Sequence, residues 1–310
     1  MDRRIYLSSP CMCGEEQKYV QEAFDTNWVA PLGKNVNEFE NVIKEYVGTK
    51  GAVAMSAGTA AIHMALRALG VGQGDIVFCQ SMTFSASANP IIYQNGIPVF
   101  IDSEPDTWNM SPDALRRAFE KYPNPKAVVL VHLYGTPAKL DEIMEICAEH
   151  NVPIVEDAAE GLGGEYKGKK LGSFGDYGIL SFNGNKIITT SGGGMLVGND
   201  EERLKTVLKW ITQSREPARW YEHKELGYNY RMSNIVAGIG RGQFTALEDH
   251  VEQKTNIYYK YKEAFENLPI TMQPFEECAK PNHWLSAATI DKDYNISPFT
   301  IMDRLAEENV

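Results

Sequence analysis

The chain has 310 residues, 43% of them hydrophobic, and a net charge of −11, which is enough length for one large α/β domain and part of a second. The acidic balance excludes non-specific nucleic-acid binding, which needs lysine and arginine in excess to release counterions, and no apolar run is long enough to span a bilayer. The five cysteines, Cys11, Cys13, Cys79, Cys147 and Cys278, form neither a disulfide framework nor zinc-type spacing, so no metal site is expected.

Met1-Asp2-Arg3-Arg4 leads directly into Ile5-Tyr6-Leu7 with no apolar signal region, so a cytoplasmic protein is expected. Helical periodicity covers residues 14–26 and 36–47, with Phe39, Val42, Ile43 and Tyr46 on one face. Short apolar runs at 52–55, 76–79, 98–101, 127–131 and 152–156 then alternate with helical stretches at 59–69, 85–94, 112–122 and 140–150. Strands that are apolar throughout and spaced by helices predict a mostly parallel central sheet covered by helices, an α/β fold. Ligands of such sheets sit outside the carboxyl ends of the strands.

A further apolar run at 177–182 feeds a polar loop carrying Lys186, then Gly192-Gly193-Gly194 and a second apolar run at 195–197. Residues 201–213 read as a helix, 215–230 as a polar aromatic link, and 233–268 as one long helical pattern stopped by Pro269. Inside it, Gly238, Gly240 and Gly242 look like half a dinucleotide motif. No strand precedes them, so close helix packing is expected instead. Residues 270–273 and 284–290 read as strands and 298–308 as a helix, the start of a smaller α+β C-terminal domain that reads as truncated. The expected division is 1–250 and 251–310.

Four segments suggest chemistry. Lys186 follows one strand end and Asp157 stands just past another; an amine that can hold an aldehyde as a Schiff base, with a carboxylate that keeps a pyridine nitrogen protonated, suits pyridoxal phosphate. Ser56-Ala57-Gly58-Thr59 runs from a strand end into a helix start, where free amides and the Thr59 hydroxyl form a phosphate seat that Ser181 can extend. Phe84 follows the strand at 76–79 and can stack on a flat ring. Asn229 and Arg231 precede a long helix and can present a neutral donor and a charge to an anion.

The motifs Ser-Ala-Gly-Thr-Ala-Ala (56–61), Glu-Asp-Ala-Ala-Glu (156–160), Ser-Phe-Asn-Gly-Asn-Lys (181–186) and Gly-Tyr-Asn-Tyr-Arg-Met-Ser-Asn (227–234) resemble those of the DegT-type nucleotide-sugar aminotransferases. Ala30-Pro31-Leu32-Gly33, His132-Leu133-Tyr134-Gly135, residues 183–194 and Trp284-Leu285-Ser286 are similar to the bacillosamine branch, which forms a UDP-4-amino sugar. Many relatives carry Gly-Glu-Gly-Gly after the Thr-Thr pair, where this chain has Ser191-Gly192-Gly193-Gly194.

The resemblance implies a fold type I pyridoxal phosphate enzyme, a homodimer with shared active sites, acting on L-glutamate and a UDP-4-keto sugar. It implies that Lys186 holds the cofactor, Asp157 pairs with its ring nitrogen and Phe84 stacks on the ring. Gly58, Thr59 and Ser181 would hold the phosphate, and Asn229 would reach it from the neighbouring subunit. Glu160 would stand beside the phenolic oxygen, where relatives often have glutamine or histidine. A perosamine-type GDP-sugar aminotransferase and a non-catalytic cofactor-binding paralogue are the alternatives.

Overall fold

A computed structural model describes residues 4–310; Met1, Asp2 and Arg3 of the N-terminal stretch lie outside the described residues. In chain order the elements are α1 (Glu16–Asp25), α2 (Lys34–Val47), β1 (Gly51–Met55), α3 (Gly58–Ala68), β2 (Ile76–Gln80), α4 (Asn89–Tyr93), β3 (Ile97–Ile101), α5 (Pro112–Lys121), β4 (Ala127–Val131), α6 (Leu140–Glu149) and β5 (Ile154–Asp157). They continue as β6 (Glu165–Tyr166), β7 (Lys169–Lys170), β8 (Tyr177–Ser181), β9 (Gly194–Gly198), α7 (Glu201–Ile211), α8 (Asn234–Phe244), α9 (Leu247–Ala264), β10 (Ile270–Met272), β11 (Ala279–Lys280), β12 (Ala288–Ile290) and α10 (Pro298–Glu307).

Seven strands form the central sheet in the order β1-β9-β8-β5-β4-β2-β3. All run parallel except β9, which opposes both β1 and β8. The expected mostly parallel sheet is therefore present, and it is apolar on both faces. Successive side chains of a strand point to opposite faces. Val128, Leu130 and Leu180 accordingly join one buried cluster with Phe39 and Ile43 of α2, while Val129 and Ile179 join another with Met64 and Leu66 of α3.

The predicted 233–268 helix is two helices, because Thr245 and Ala246 donate their amides three residues back, to Gly242 and Gln243, and the Thr245 hydroxyl also takes the Gly242 carbonyl. The predicted 85–94 helix is likewise a short three-residue turn (Ser85–Ser87) followed by α4. The glycines of α8 do serve close packing: a Cβ on Gly240 would lie 2.6 Å from the Phe39 ring, and one on Gly242 2.6 Å from the Glu16 backbone. Residue 250, where the two-domain division was drawn, lies within α9, the helix that leads into the antiparallel β10–β12 pair. No described helix is long and apolar enough to cross a membrane.

Two buried histidines couple this fold to pH. His63 on α3 is 4% exposed, and its Nε2 lies 2.6 Å from the Gln94 amide nitrogen, which donates to it. Burial and then the Arg67 charge push its pKa down to about 4; burial and Lys262 do the same for His283. Below about pH 6.5 the unfolded chain binds protons that the folded one refuses. Stability is therefore full above that pH and is lost progressively down to about pH 4, by about 2–3 kcal/mol for each histidine. Thermal midpoints measured between about pH 4 and 7 are expected to fall less in His63→Gln than in the parent; parallel curves would show that His63 does not titrate in this way.

Candidate active site

Register brings the strand ends together at one edge of the sheet. Met55 of β1 and Ser181 of β8 both pair with Gly194 at the start of the reversed β9, and Val131 of β4 pairs with Asp157 at the end of β5. A cavity of about 350 Å³ opens there, walled by Gly58, Thr59, Phe84, Asp157, Glu160, Ser181 and Lys186. Of the residues singled out from sequence, Asn229 and Arg231 do not line this cavity; Asn229 is exposed and pairs through a single backbone bridge with Thr212.

The Lys186 loop is pinched by its own backbone. Phe182 donates to the Gly193 carbonyl at 2.9 Å, Thr190 donates to Phe182 at 2.9 Å, and Lys186 closes a turn onto Asn183 at 3.0 Å. Its amine lies 3.3 Å from Glu160 Oε1 and 4.1 Å from the centre of the Trp284 indole.

Asp157 is buried. Ser87 donates its hydroxyl to Oδ2 at 2.6 Å and the Ala159 amide donates to Oδ1 at 3.2 Å. Burial pushes this carboxyl above its ordinary range, and Ser87, Ala159 and the Lys186 charge pull it part of the way back. The neighbouring Glu156 is fully buried and behaves oppositely. It accepts from His132 Nε2 at 2.9 Å and from the amides of Gly172, Phe174 and Gly175 at 2.5, 2.7 and 3.0 Å, contacts that outweigh burial and hold it below the usual carboxylate range. His132 Nδ1 accepts from the Ala138 amide at 3.1 Å, so the proton shared with Glu156 sits on Nε2. This network braces β5 directly behind Asp157.

Helix α3 opens at the cavity wall, where the anion seat is expected. Its N-cap is Ala57, in extended conformation and without a side-chain cap, so Thr59 is not a cap but lines the cavity from the first turn. The first-turn amides have no acceptor within the helix and carry the positive end of its dipole. Ser181 sits against Gly58: a Cβ there would lie 3.1 Å from the Ser181 Cβ. A Cβ on Gly194 would come 2.3 Å from the Gly58 amide nitrogen and fill this cradle.

Two expectations are corrected. Arg231 is not free for an anionic ligand, because its guanidinium pairs with Glu40 and donates to the Ala54 carbonyl at 3.2 Å, fastening the segment after Asn229 to β1. Residues 284–290 do not form one strand; only Ala288–Ile290 does. Asn282 holds the preceding bend instead, accepting from the Trp284 amide at 2.9 Å and donating to the Glu160 and Leu162 carbonyls at 2.8 Å each. This brings Trp284 into the cavity wall. Sequence reading assigned neither Trp284 nor Ser87 a role in the site. The serine carried no signal of one; its hydroxyl meets that of Thr83 at 2.7 Å only in the folded chain.

Gly135 makes this bend possible. Its φ is +90°, and a Cβ there would lie 1.7 Å from Asn282 Oδ1. Gly135→Ala is expected to cost about 3 kcal/mol from left-handed strain and overpacking together, read as a lower denaturation midpoint. A cost under about 0.5 kcal/mol would mean that Asn282 does not hold the bend rigidly.

The family model described as "DegT/DnrJ/EryC1/StrS aminotransferase family" matches residues 10–310. EpsN of Bacillus subtilis (strain 168), a protein named as a pyridoxal phosphate-dependent aminotransferase, is 54% identical over 100% of this chain and 81% of its own length. GDP-perosamine synthase of Caulobacter vibrioides is 40% identical over 86% of this chain and 71% of its own. Among solved structures, Spr1654 from Streptococcus pneumoniae in its PLP-form, named as a sugar aminotransferase, superposes with a TM-score of 0.92 at 25% identity, covering 99% of this chain and 83% of that one.

Proposed function

The chain belongs to the DegT/DnrJ/EryC1/StrS aminotransferase family and is a pyridoxal phosphate-dependent sugar aminotransferase; from that premise we propose that it moves the amino group of L-glutamate to the C4 keto group of a UDP-linked 4-keto-6-deoxy-N-acetylhexosamine, giving a UDP-4-amino sugar of the bacillosamine type. The observation that carries this reading is the meeting of Lys186, Asp157 and the opening turn of α3 in one cavity. An amine, a buried carboxylate and an anion seat correspond to the aldehyde, the ring nitrogen and the phosphate of the cofactor.

The residues present fit that group. The cradle beside Gly58 is kept open by the missing side chain of Gly194, and the buried Asp157 carboxyl gains a proton-bearing partner in a ring nitrogen. Bound there, pyridoxal phosphate supplies an electron sink for the carbon that gains or loses the amino group.

The chain's own residues do the rest. Lys186 holds the cofactor and, once released, removes a proton from one carbon and returns it to another as general base and then acid. Asp157 keeps the ring nitrogen protonated, with Ser87 and Ala159 fixing the direction of its oxygens. The amides of Gly58 and Thr59 with the Ser181 hydroxyl bind the phosphate. Phe84, exposed at the cavity mouth, would stack on the ring, and Glu160 would stand by the phenolic oxygen. Asn229 serves the site of a second copy in a homodimer, in keeping with its exposed place outside its own cavity.

The UDP acceptor is proposed from the resemblance of the tri-glycine segment, Gly192-Gly193-Gly194, to the bacillosamine branch. Gly192 lines the cavity, and a Cβ there would meet nothing within 4 Å; the glutamate that many relatives carry at this point would put a carboxylate into that open space. A GDP-linked 4-keto-6-deoxy sugar is the competing acceptor, and the 40% identity to GDP-perosamine synthase favours it. Incubation with L-glutamate and each nucleotide sugar in turn separates the two. The expected result is a kcat/KM about 100-fold higher for the UDP-N-acetyl sugar; faster turnover of the GDP sugar would replace this acceptor assignment with the perosamine-type one.

A further inference from the structure

The Lys186 amine lies in a built enclosure. Glu160 Oε1 is on one side at 3.3 Å and the Trp284 ring on another at 4.1 Å. The side chains of Lys186 and Glu160 are 13% and 11% exposed, and Trp284 is 4% exposed. Every wall is fastened. The Tyr134 amide donates to Glu160 Oε2 at 2.7 Å, leaving Oε1 for the lysine. The Trp284 indole donates to the Asn185 carbonyl at 2.6 Å, next in sequence to Lys186. Asn282 joins the two walls by binding both the Trp284 amide and the Glu160 carbonyl.

We propose that Glu160 and Trp284 form a holding site for the Lys186 amine, occupied whenever the donor's nitrogen has replaced that amine on the cofactor. This rests on the assignment of Lys186 as the cofactor-holding residue. In the exchange, the C=N bond to Lys186 breaks as one to the glutamate nitrogen forms, and the three protons of the incoming glutamate ammonium pass to Lys186, which leaves as a cation and hands one proton to Glu160 Oε1 before it acts as base. The freed amine then needs a place where its protonated form is stable, close enough to return. A carboxylate and an indole face within a dry wall stabilise such a cation, the ring face more strongly than it would in water. Burial raises the Glu160 carboxyl and the Lys186 charge pulls it only part of the way back. Glu160 and Trp284 are positioning residues in this scheme, acting through Lys186.

The test is the equilibrium between the lysine-linked and the amino form of the cofactor, read from the absorption spectrum of the holoenzyme in mixtures of L-glutamate and 2-oxoglutarate. Trp284→Leu is expected to need about tenfold more glutamate for half conversion, because the freed lysine loses its ring face, and Trp284→Phe about threefold. Glu160→Gln, which keeps the shape of the wall, carries the test if Trp284→Leu does not fold. A second readout omits the cofactor: acylation of Lys186 by an amine-reactive ester in the cofactor-free chain, followed by mass spectrometry, is expected to be about tenfold faster in Trp284→Leu and Glu160→Gln, whose amine has lost one wall of its enclosure. Unchanged half conversion and unchanged labelling in folded variants would overturn the holding site while leaving Lys186 as the linkage. A borohydride-reducible adduct that persists in Lys186→Ala would overturn the linkage itself.

Discussion

Lys186→Ala is expected to abolish the visible band of the bound cofactor and to lower amino transfer by about 10⁴-fold or more, since in the proposed assignment one group both holds the cofactor and moves the proton. Among the described residues lining the cavity it is the sole lysine, so no neighbouring amine can take over. The fold should survive. The carboxyl left behind, Glu160, is already pushed up by burial and can take a proton rather than stay charged in an apolar wall. A purified Lys186→Ala protein with a thermal midpoint near that of the parent but no reducible linkage to the cofactor is the expected combination. Retention of the band would move the linkage elsewhere.

Asp157→Asn is expected to lower the rate of the glutamate half reaction by about 10³-fold, with KM changed little, because the loss falls on charge that develops during the reaction. The substitution is nearly isosteric, and the surroundings can absorb it. The Ser87 hydroxyl, which now donates to Asp157, can turn to accept from the asparagine amide and donate to Thr83 instead. A neutral asparagine amide cannot balance the charge of a pyridinium nitrogen, so the ring would lose its cationic form. Stability should hold within about 1 kcal/mol or rise, since a carboxyl already disfavoured by burial is replaced by a neutral group. Rapid-mixing spectra give the rate, and a value within tenfold of the parent would remove Asp157 from its assigned role.

Much of the site was legible before any coordinates because its residues end strands. Asp157 closes an apolar run, Ser181 closes another, and Gly58 and Thr59 open a helix just after a third; in a parallel sheet those ends share one edge. What could not be read is how a distant loop returns. Trp284 reaches the Lys186 amine through the hydrogen bonds of a buried asparagine and a left-handed glycine nearly 150 residues earlier in the chain. Neither residue leaves any periodic trace. Arg231 was misread for the same reason, since its partner Glu40 lies on a helix far away in sequence.

By itself the order of apolar runs and helical stretches determined a mostly parallel α/β sheet, and the amine and carboxylate at its strand tips determined the class of cofactor chemistry, because strand burial and strand-end placement are local properties of hydrophobic pattern. Only the tertiary structure decided the reversal of β9, which sets Gly194 against the α3 amide, and the opposite pulls on two adjacent carboxyls, Glu156 held low and Asp157 pushed up. Charge in a buried site depends on which amides and side chains converge there, and those come from segments that only folding brings together.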